Sequence, residues 1–147
     1  MKADTKEVTL LLVEDDDIDA ASIERSFLKQ RIGNLIVRAH DGVEAFELLR
    51  NGAVTHPFMI LLDLQMPRMN GLEFLEKLRK DPDFHDTVVF VLTTSKSDQD
   101  IIESYNKKIA GYFVKEEAGV NFIDVVRMFE NYWKILHVPT ETKSQGH

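Results

Sequence analysis

Short apolar runs alternate along this chain with segments of helical periodicity, and this alternation constrains the fold more than any other feature. Five such runs occur, at residues 8–13, 35–39, 59–62, 88–92 and 112–114. Each of the five runs is followed by a segment with apolar residues three and four apart, which is typical of amphipathic helices. Strands that alternate with helices favour right-handed crossovers and a parallel sheet covered on both faces. The sequence therefore predicts an α/β, doubly wound (βα)5 domain of the flavodoxin-like kind.

The third run belongs to the stretch "MILLDLQMPRMNG" at residues 59–71. Its four apolar residues indicate a strand buried on both faces, and Asp63 stands where that strand would emerge. Pro67 cannot continue a ladder, and Asn70 followed by Gly71 is typical of a turn into the next helix. Asp63 is therefore expected at the carboxyl end of a buried strand, the edge at which open α/β sheets bind ligands.

The last helix has the most regular pattern and sets the predicted domain boundary. Its apolar positions fall on one helical face, namely Phe122, Val125, Val126, Phe129, Trp133 and Leu136. Pro139 ends it, and the polar residues beyond have no apolar face. We expect one domain at residues 8–138, a flexible N-terminus at 1–7 and a flexible tail at 139–147.

The acidic composition argues against several kinds of partner. The formal net charge is -7, from 25 acidic and 18 basic residues, so the chain has no evident means of neutralising nucleic-acid phosphates. No apolar run is long enough to span a bilayer, and the first residues show no signal-peptide pattern. The absence of cysteine excludes thiolate metal sites. We expect no nucleic acid, no membrane and a cytoplasmic location.

Chemically distinct residues follow the predicted strands at the same edge of the sheet. Glu14 and Asp15 follow the first strand, Asp63 the third, Thr93 the fourth and Lys115 the fifth. Carboxylates that converge in one cleft repel each other unless a cation lies among them, and hard oxygen ligands favour Mg²⁺ or Ca²⁺. A carboxylate nucleophile, a Mg²⁺ site, a lysine and a hydroxyl are what a protein needs to accept a phosphoryl group.

Each of these residues also has an ordinary structural interpretation. An aspartate before a loop is usually a turn former or a helix cap, and Asp16 or Asp17 is expected to cap the first helix. A threonine after a β-branched run is common strand composition, and a single lysine is usually a solvated charge. Asp41 is interpreted as part of an Asp-Gly turn only. The acids after the first strand, Asp63, Thr93 and Lys115 are all predicted at one edge of the sheet. This combination favours a functional site over the ordinary interpretation of each residue.

The chain resembles the receiver domain of two-component response regulators. The motifs that carry the resemblance are "LLLVEDD", "LLDLQMPRMNG", "VFVLTTS" and "GYFVK", in this order, within residues 8–136. The resemblance implies a sheet in the order 2-1-3-4-5 and makes Asp63 the phosphoacceptor. It implies that Asp15 binds Mg²⁺ directly, that Glu14 acts mainly through water, and that the backbone carbonyl of Gln65 is a further ligand.

The same resemblance assigns the remaining site residues. Thr93 would be the switch hydroxyl, Lys115 the phosphate-binding lysine and Tyr112 the aromatic switch residue. One position departs from the family pattern, because Lys115 is followed by Glu116 where the family usually has proline. This departure puts the usual geometry of that loop in doubt.

The resemblance also implies partners. The stretches "RMNGLEFLEKLRKDPDF", "LTTS" and "NYWKILHVP" look like single-domain regulators paired with bacteriophytochrome histidine kinases. We expect a sensor histidine kinase as phosphodonor, no enzymatic turnover of other substrates, and output through contact with another protein. We also expect a homodimer through the face of the fourth helix, the fifth strand and the last helix, or a partner that docks in the same place. Candidate exposed residues there are Tyr132, Trp133, Ile135 and Val138.

Three rival functions each depend on one named position. A phosphohydrolase of the haloacid dehalogenase type needs a second acid two residues after the nucleophile, where this chain has Gln65. A flavodoxin-like carrier of FMN needs a phosphate loop after the first strand, where "EDDDID" would repel the phosphate. A pseudo-receiver that only binds would have lost Asp63, Thr93 or Lys115, and all three are present.

Overall fold

A computed structural model describes residues 8–132, and these form five strands and five α-helices in strict alternation. The strands are β1 (Thr9–Val13), β2 (Ile36–Ala39), β3 (Phe58–Leu62), β4 (Val89–Thr93) and β5 (Gly111–Val114). The helices are α1 (Asp17–Lys29), α2 (Gly42–Arg50), α3 (Gly71–Arg79), α4 (Asp98–Asn106) and α5 (Ile123–Tyr132). Two short 3₁₀ turns, Lys115–Glu117 and Val120–Phe122, connect β5 to α5.

All strand pairs are parallel, and the sheet order is β2-β1-β3-β4-β5. This confirms the predicted doubly wound (βα)5 fold and its strand order. The chain first moves outward from β1 to β2 and then crosses back to β3 on the other side. The carboxyl ends of β1 and β3 therefore lie side by side at the point where the winding reverses, which is where such sheets bind ligands.

The sheet separates two apolar cores, because successive side chains of a strand point to opposite faces. Leu10 and Leu12 pack with α1 and α5 on one face, whereas Leu11 and Val13 pack with α2 and α3 on the other. Every residue of β3 and β4 is buried, as the continuous apolar run in the sequence predicts. The ends of these central strands are thus held on both faces.

The structure differs from the sequence prediction at the start of the last helix and at Tyr132. Phe122 was predicted to open the helical stripe, but it lies in a 3₁₀ turn with φ of 59°, and α5 begins at Ile123. Tyr132, a predicted exposed residue, is half-buried and contacts the Phe90 ring at 5.5 Å between centroids. The predictions for Trp133, Ile135, Leu136, Val138 and Pro139, and for residues 1–7 and 139–147, fall outside the described residues.

No helix within residues 8–132 is long and apolar enough to cross a membrane.

Candidate functional site

The register of β1 and β3 brings three carboxylates together. Val13 is paired with Leu62, and the Asp63 amide donates to the Val13 carbonyl at 3.0 Å, so the next residues on the two strands are adjacent. One carboxylate oxygen from each of Glu14, Asp15 and Asp63 lies within 4.8 Å of the others. Glu14 and Asp63 are buried, at 1% and 5% exposure, whereas Asp15 is exposed. The cluster is therefore open to solvent only on the Asp15 side.

Lys115 follows β5 and reaches back across the sheet edge into this cluster. Its Nζ lies 2.7 Å from Asp19 Oδ2, 3.0 Å from Glu14 Oε1 and 3.2 Å from Asp63 Oδ2. An ammonium has three N–H donors, so each of them faces one carboxylate. Burial lowers the pKa of Lys115, but the hydrogen bond to Asp19 and the charges of Asp63 and Glu14 outweigh burial, so its pKa is raised. The lysine stays charged.

Glu14 is the most deeply buried acid of the cluster. Burial raises the pKa of Glu14 from 4.5 to about 8, and the charge of Asp63 adds to this effect, although Lys115 opposes it. A buried carboxylate beside another one is costly to ionise unless positive charge lies nearby. One lysine does not offset the three carboxylates around it.

The cluster fits a hard divalent cation such as Mg²⁺. Its three carboxylates supply oxygen ligands, and its open side leaves room for water or phosphate oxygens, which Mg²⁺ usually keeps. Burial and the charge of Asp63 raise the pKa of Glu14, and a further positive charge would oppose both effects by stabilising the ionised carboxylate. The structure thus brings together the three predicted carboxylate ligands.

The loop after β3 is fixed by contacts that explain the "MPRMNG" sequence. Asp63 Oδ1 accepts from the Gln65 amide at 3.1 Å, so the carboxylate is tied to its own loop. Asn70 caps α3 and forms a reciprocal capping box with Glu73. Gly71 begins the helix so close to β3 that a Cβ there would lie 2.6 Å from the Asp63 carbonyl oxygen. Only glycine permits this approach, as the turn signal indicated.

Gln65 also joins this loop to the loop after β4. Its side-chain Oε1 accepts a hydrogen bond from Thr94 Oγ1 at 2.7 Å. The two loops border the carboxylate cluster, so this bond links the surroundings of Asp63 to those of Thr93. The role predicted for the Gln65 backbone carbonyl as a metal ligand stays a prediction.

Thr93 ends β4 and is fully buried. Its hydroxyl has no hydrogen-bond partner among residues 8–132, which is unusual for a buried polar group. Tyr112, on the neighbouring strand β5, is half-buried, and its hydroxyl donates to the Ser95 carbonyl at 3.0 Å. Burial raises the pKa of Tyr112, so its hydroxyl stays protonated and keeps this bond. Both predicted switch residues thus border the β4–α4 loop.

The segment after Lys115 forms a turn at the position where the sequence departs from the family pattern. Lys115 to Glu117 form a 3₁₀ turn. Glu116 forms an ion pair with Lys96 of the β4–α4 loop. The position that is usually proline therefore carries a contact between the two loops.

Two polar contacts at this edge were missed by the sequence interpretation. Asp16 alone caps α1, accepting from Ile18 and Asp19 amides, whereas Asp17 pairs with Arg38 of β2 at 2.8 Å. Asp19 was not singled out, although its carboxylate makes the shortest contact with Lys115. An acid in a first helical turn looks the same in sequence whether it is solvated or paired.

Asp41 has a larger role than the Asp-Gly turn assigned to it. It caps α2, and Arg68 of the β3–α3 loop contacts both of its carboxylate oxygens, at 2.8 and 3.2 Å. The hydrogen bond from Arg68 lowers the pKa of Asp41. Asp41 therefore fastens the loop that follows Asp63, but it is not part of the carboxylate cluster.

The sequence is similar to a known protein family and to several known proteins. A model of the response regulator receiver domain matches residues 10–127. The chain is 30% identical over 128 residues to the response regulator Rcp1 of Synechocystis, covering 84% of this chain and 87% of Rcp1. It is 32% identical over 127 residues to a probable methanogenesis regulatory protein, FilR2, of Methanothrix harundinacea, covering 84% of this chain and 82% of that protein.

Solved structures of similar fold include two further forms of response regulator, one of them a phytochrome response regulator. The Mn²⁺-bound form of Rcp1 superposes with a TM-score of 0.79 and 28% identity, covering 90% of this chain and 99% of that one. The phosphorylated cyanobacterial phytochrome response regulator RcpA superposes with a TM-score of 0.78 and 29% identity, covering 90% and 98%. One is described with a divalent ion and the other with a phosphoryl group.

Proposed function

Because the chain belongs to the response regulator receiver family, we propose that it accepts a phosphoryl group on Asp63 from a phosphohistidine of a sensor histidine kinase. The observation that carries this proposal is the position of Asp63, a buried carboxylate between Lys115 and two further acids. The buried Thr93 hydroxyl without a partner among residues 8–132 supports it, since an incoming phosphoryl oxygen would give that hydroxyl an acceptor.

In the proposed transfer, a carboxylate oxygen of Asp63 attacks the phosphorus atom. The oxygen–phosphorus bond forms as the phosphorus–nitrogen bond to the histidine breaks, and the bonding electron pair returns to the imidazole nitrogen. The product is an acyl phosphate on Asp63. Burial of Asp63 and its bond from the Gln65 amide restrict the carboxylate to few orientations, which favours attack in line with the leaving nitrogen.

Positive charge at the site is required because the phosphoryl group brings negative charge to a cluster that is already acidic. Glu14, Asp15 and Asp63 would hold Mg²⁺, with the Gln65 carbonyl as the predicted further ligand, and bound Mg²⁺ would neutralise charge on the phosphoryl oxygens. Lys115, already 3.2 Å from Asp63, would contact another of these oxygens.

The proposed output is a change in packing on the face of α4, β5 and α5. Hydrogen bonding of Thr93 to the phosphoryl group would draw the β4–α4 loop toward Asp63, and Tyr112 is tied to that loop through the Ser95 carbonyl. Ile102 and Tyr105 of α4 are 60% and 49% exposed, so this face offers apolar surface. A partner protein or a second copy of the chain would bind there.

Substitution of Asp63 tests the phosphoacceptor directly. The protein is incubated with Mg²⁺ and acetyl phosphate, and phosphorylation is measured by mass spectrometry. Asp63→Asn should show none. Asp16→Asn is the matched control, because asparagine caps a helix as well as aspartate does. Labelling of Asp63→Asn at the parent's level would contradict the assignment, and an unlabelled parent would favour the pseudo-receiver interpretation.

We propose a phytochrome-type kinase as the phosphodonor, supported by the similarity to the phytochrome response regulator RcpA. Phosphotransfer profiling against the sensor kinases of the source organism tests this proposal. The phytochrome-type kinase should label the protein faster than the others do. A faster transfer from a kinase of another class would contradict it.

A further inference from the structure

Arg38 makes an unusual set of contacts beside the carboxylate cluster. It lies in β2, the edge strand next to β1, and its side chain is 19% exposed. Its Nε and Nη2 donate to the backbone carbonyl oxygen of Glu14, at 3.0 and 2.8 Å. Its Nη1 lies 2.8 Å from Asp17 Oδ1. One guanidinium thus spans residues 14–17, the segment that joins β1 to α1 and carries two of the three clustered acids.

These contacts hold the Glu14 peptide from both sides. The Glu14 amide donates to the Ala39 carbonyl at 2.9 Å, so the backbone of β2 holds one end of the residue and the Arg38 side chain holds the other. Asp15 is the next residue, and the direction of its exposed carboxylate depends on the backbone that precedes it. A shift of the Glu14 carbonyl would therefore reorient both acids relative to Asp63.

We infer that Arg38 is a positioning residue for the divalent-cation site, and this inference rests on the proposed function. The planar guanidinium of Arg38 fixes the backbone at Glu14. The carboxylates of Glu14 and Asp15 are thereby held within 4.8 Å of the Asp63 carboxylate before the ion binds. The ion pair with Asp17 contributes less, because the Asp17 side chain is 82% exposed and solvent screens such pairs.

The positive charge of Arg38 and its contacts with Glu14 are expected to have opposite effects on Mg²⁺ affinity. A fixed positive charge near the cluster repels a divalent cation, so Arg38 acting only through its charge would weaken Mg²⁺ binding. Acting as a positioning residue, it strengthens binding. Lysine separates the two effects, because it keeps the charge but cannot reproduce the two-donor contact with one carbonyl.

The experiment measures Mg²⁺ affinity by titration calorimetry on the full chain for the parent, Arg38→Lys and Arg38→Met. Arg25→Met is the control, since Arg25 lies exposed on α1 and its loss removes the same charge. We expect Arg38→Lys to weaken Mg²⁺ binding about tenfold, as is typical for residues that orient metal ligands. Arg25→Met should change it less than about twofold.

Amide exchange of residues 14–17 in the metal-free proteins gives a readout that does not depend on the ion. Exchange should be faster in Arg38→Lys than in the parent, with the thermal midpoint of unfolding little changed. Arg38→Met should also weaken Mg²⁺ binding, but by less than Arg38→Lys, because the loss of a positive charge offsets part of the loss in affinity.

Three results would overturn the inference, and the first two can be told apart from the third. Equal Mg²⁺ affinity in Arg38→Lys and the parent, or tighter binding in Arg38→Met, would overturn the role of Arg38 alone. A parent that does not bind Mg²⁺ at all would overturn the proposed function and the role of Arg38 with it.

Discussion

Replacement of Gly71 with alanine tests whether the first turn of α3 fixes the position of Asp63. A Cβ at residue 71 would lie 2.6 Å from the Asp63 carbonyl oxygen and 2.6 Å from the Leu64 Cα. Both are backbone atoms, which cannot rotate away as the end of a flexible side chain can. The hydrogen bond from the Gly71 amide to the Leu64 carbonyl, at 2.9 Å, holds the two segments against each other.

The expected effect follows from these distances. An ordinary Cβ contact is 3.4–4 Å, so the helix and the end of β3 must separate by about 0.8 Å. Overpacking costs about 1–3 kcal/mol of the free energy of unfolding, whereas alanine is the better helix former by about 1 kcal/mol. A reacting group misplaced by about 1 Å can slow a reaction about 100-fold. We expect Gly71→Ala to lose about 0–2 kcal/mol of the free energy of unfolding and to be phosphorylated at least about tenfold more slowly.

Urea unfolding measures the first quantity, and the rate of labelling by acetyl phosphate with Mg²⁺ measures the second. Gly33→Ala is the matched control, because a Cβ at residue 33 would meet no described heavy atom within 4 Å. It should match the parent in both assays. Equal free energies of unfolding and equal labelling rates for Gly71→Ala and Gly33→Ala would contradict this expectation.

Three further predictions concern ionisation, metal binding and assembly. In the metal-free protein Glu14 keeps its proton up to about pH 8, because burial raises its pKa from the ordinary 4.5 to about 8. The free energy of unfolding should therefore fall between these pH values by up to about 1.4 kcal/mol per pH unit. Glu14→Gln should remove this slope in urea unfolding with chelator present, and parallel curves would contradict the prediction. Asp15→Asn should weaken Mg²⁺ binding in calorimetry more than Asp17→Asn, which loses only an exposed ion pair; equal effects would refute the distinction. Beryllofluoride with Mg²⁺ should raise the mass in solution, and Tyr105→Ala should reduce that response; a parent that stays monomeric in both states would exclude a dimer.

Much of the fold follows from local patterns in the sequence. Apolar runs of strand length, separated by helical periodicity, predict the βα alternation. The continuous burial of β3 and β4 follows from their runs of consecutive apolar residues, after which only Thr93 of β4 is polar. The residues at the strand ends were also predictable, because all carboxyl ends of a parallel sheet share one edge. Phe122 was misplaced because its apolar character fits the helical stripe, whereas its positive φ is set by the turn before it.

The contacts that shape the site depend on the tertiary structure. Lys115 and Asp19 are separated by 96 residues, and they meet only because β5 and the start of α1 reach the same edge of the sheet. Arg38 and Glu14 meet because β2 pairs with β1. The sequence by itself determined the elements and the chemical types at their ends, since these depend on local periodicity and turn preferences. Only the folded chain decided which charges are paired, because pairing depends on strand order and side-chain direction.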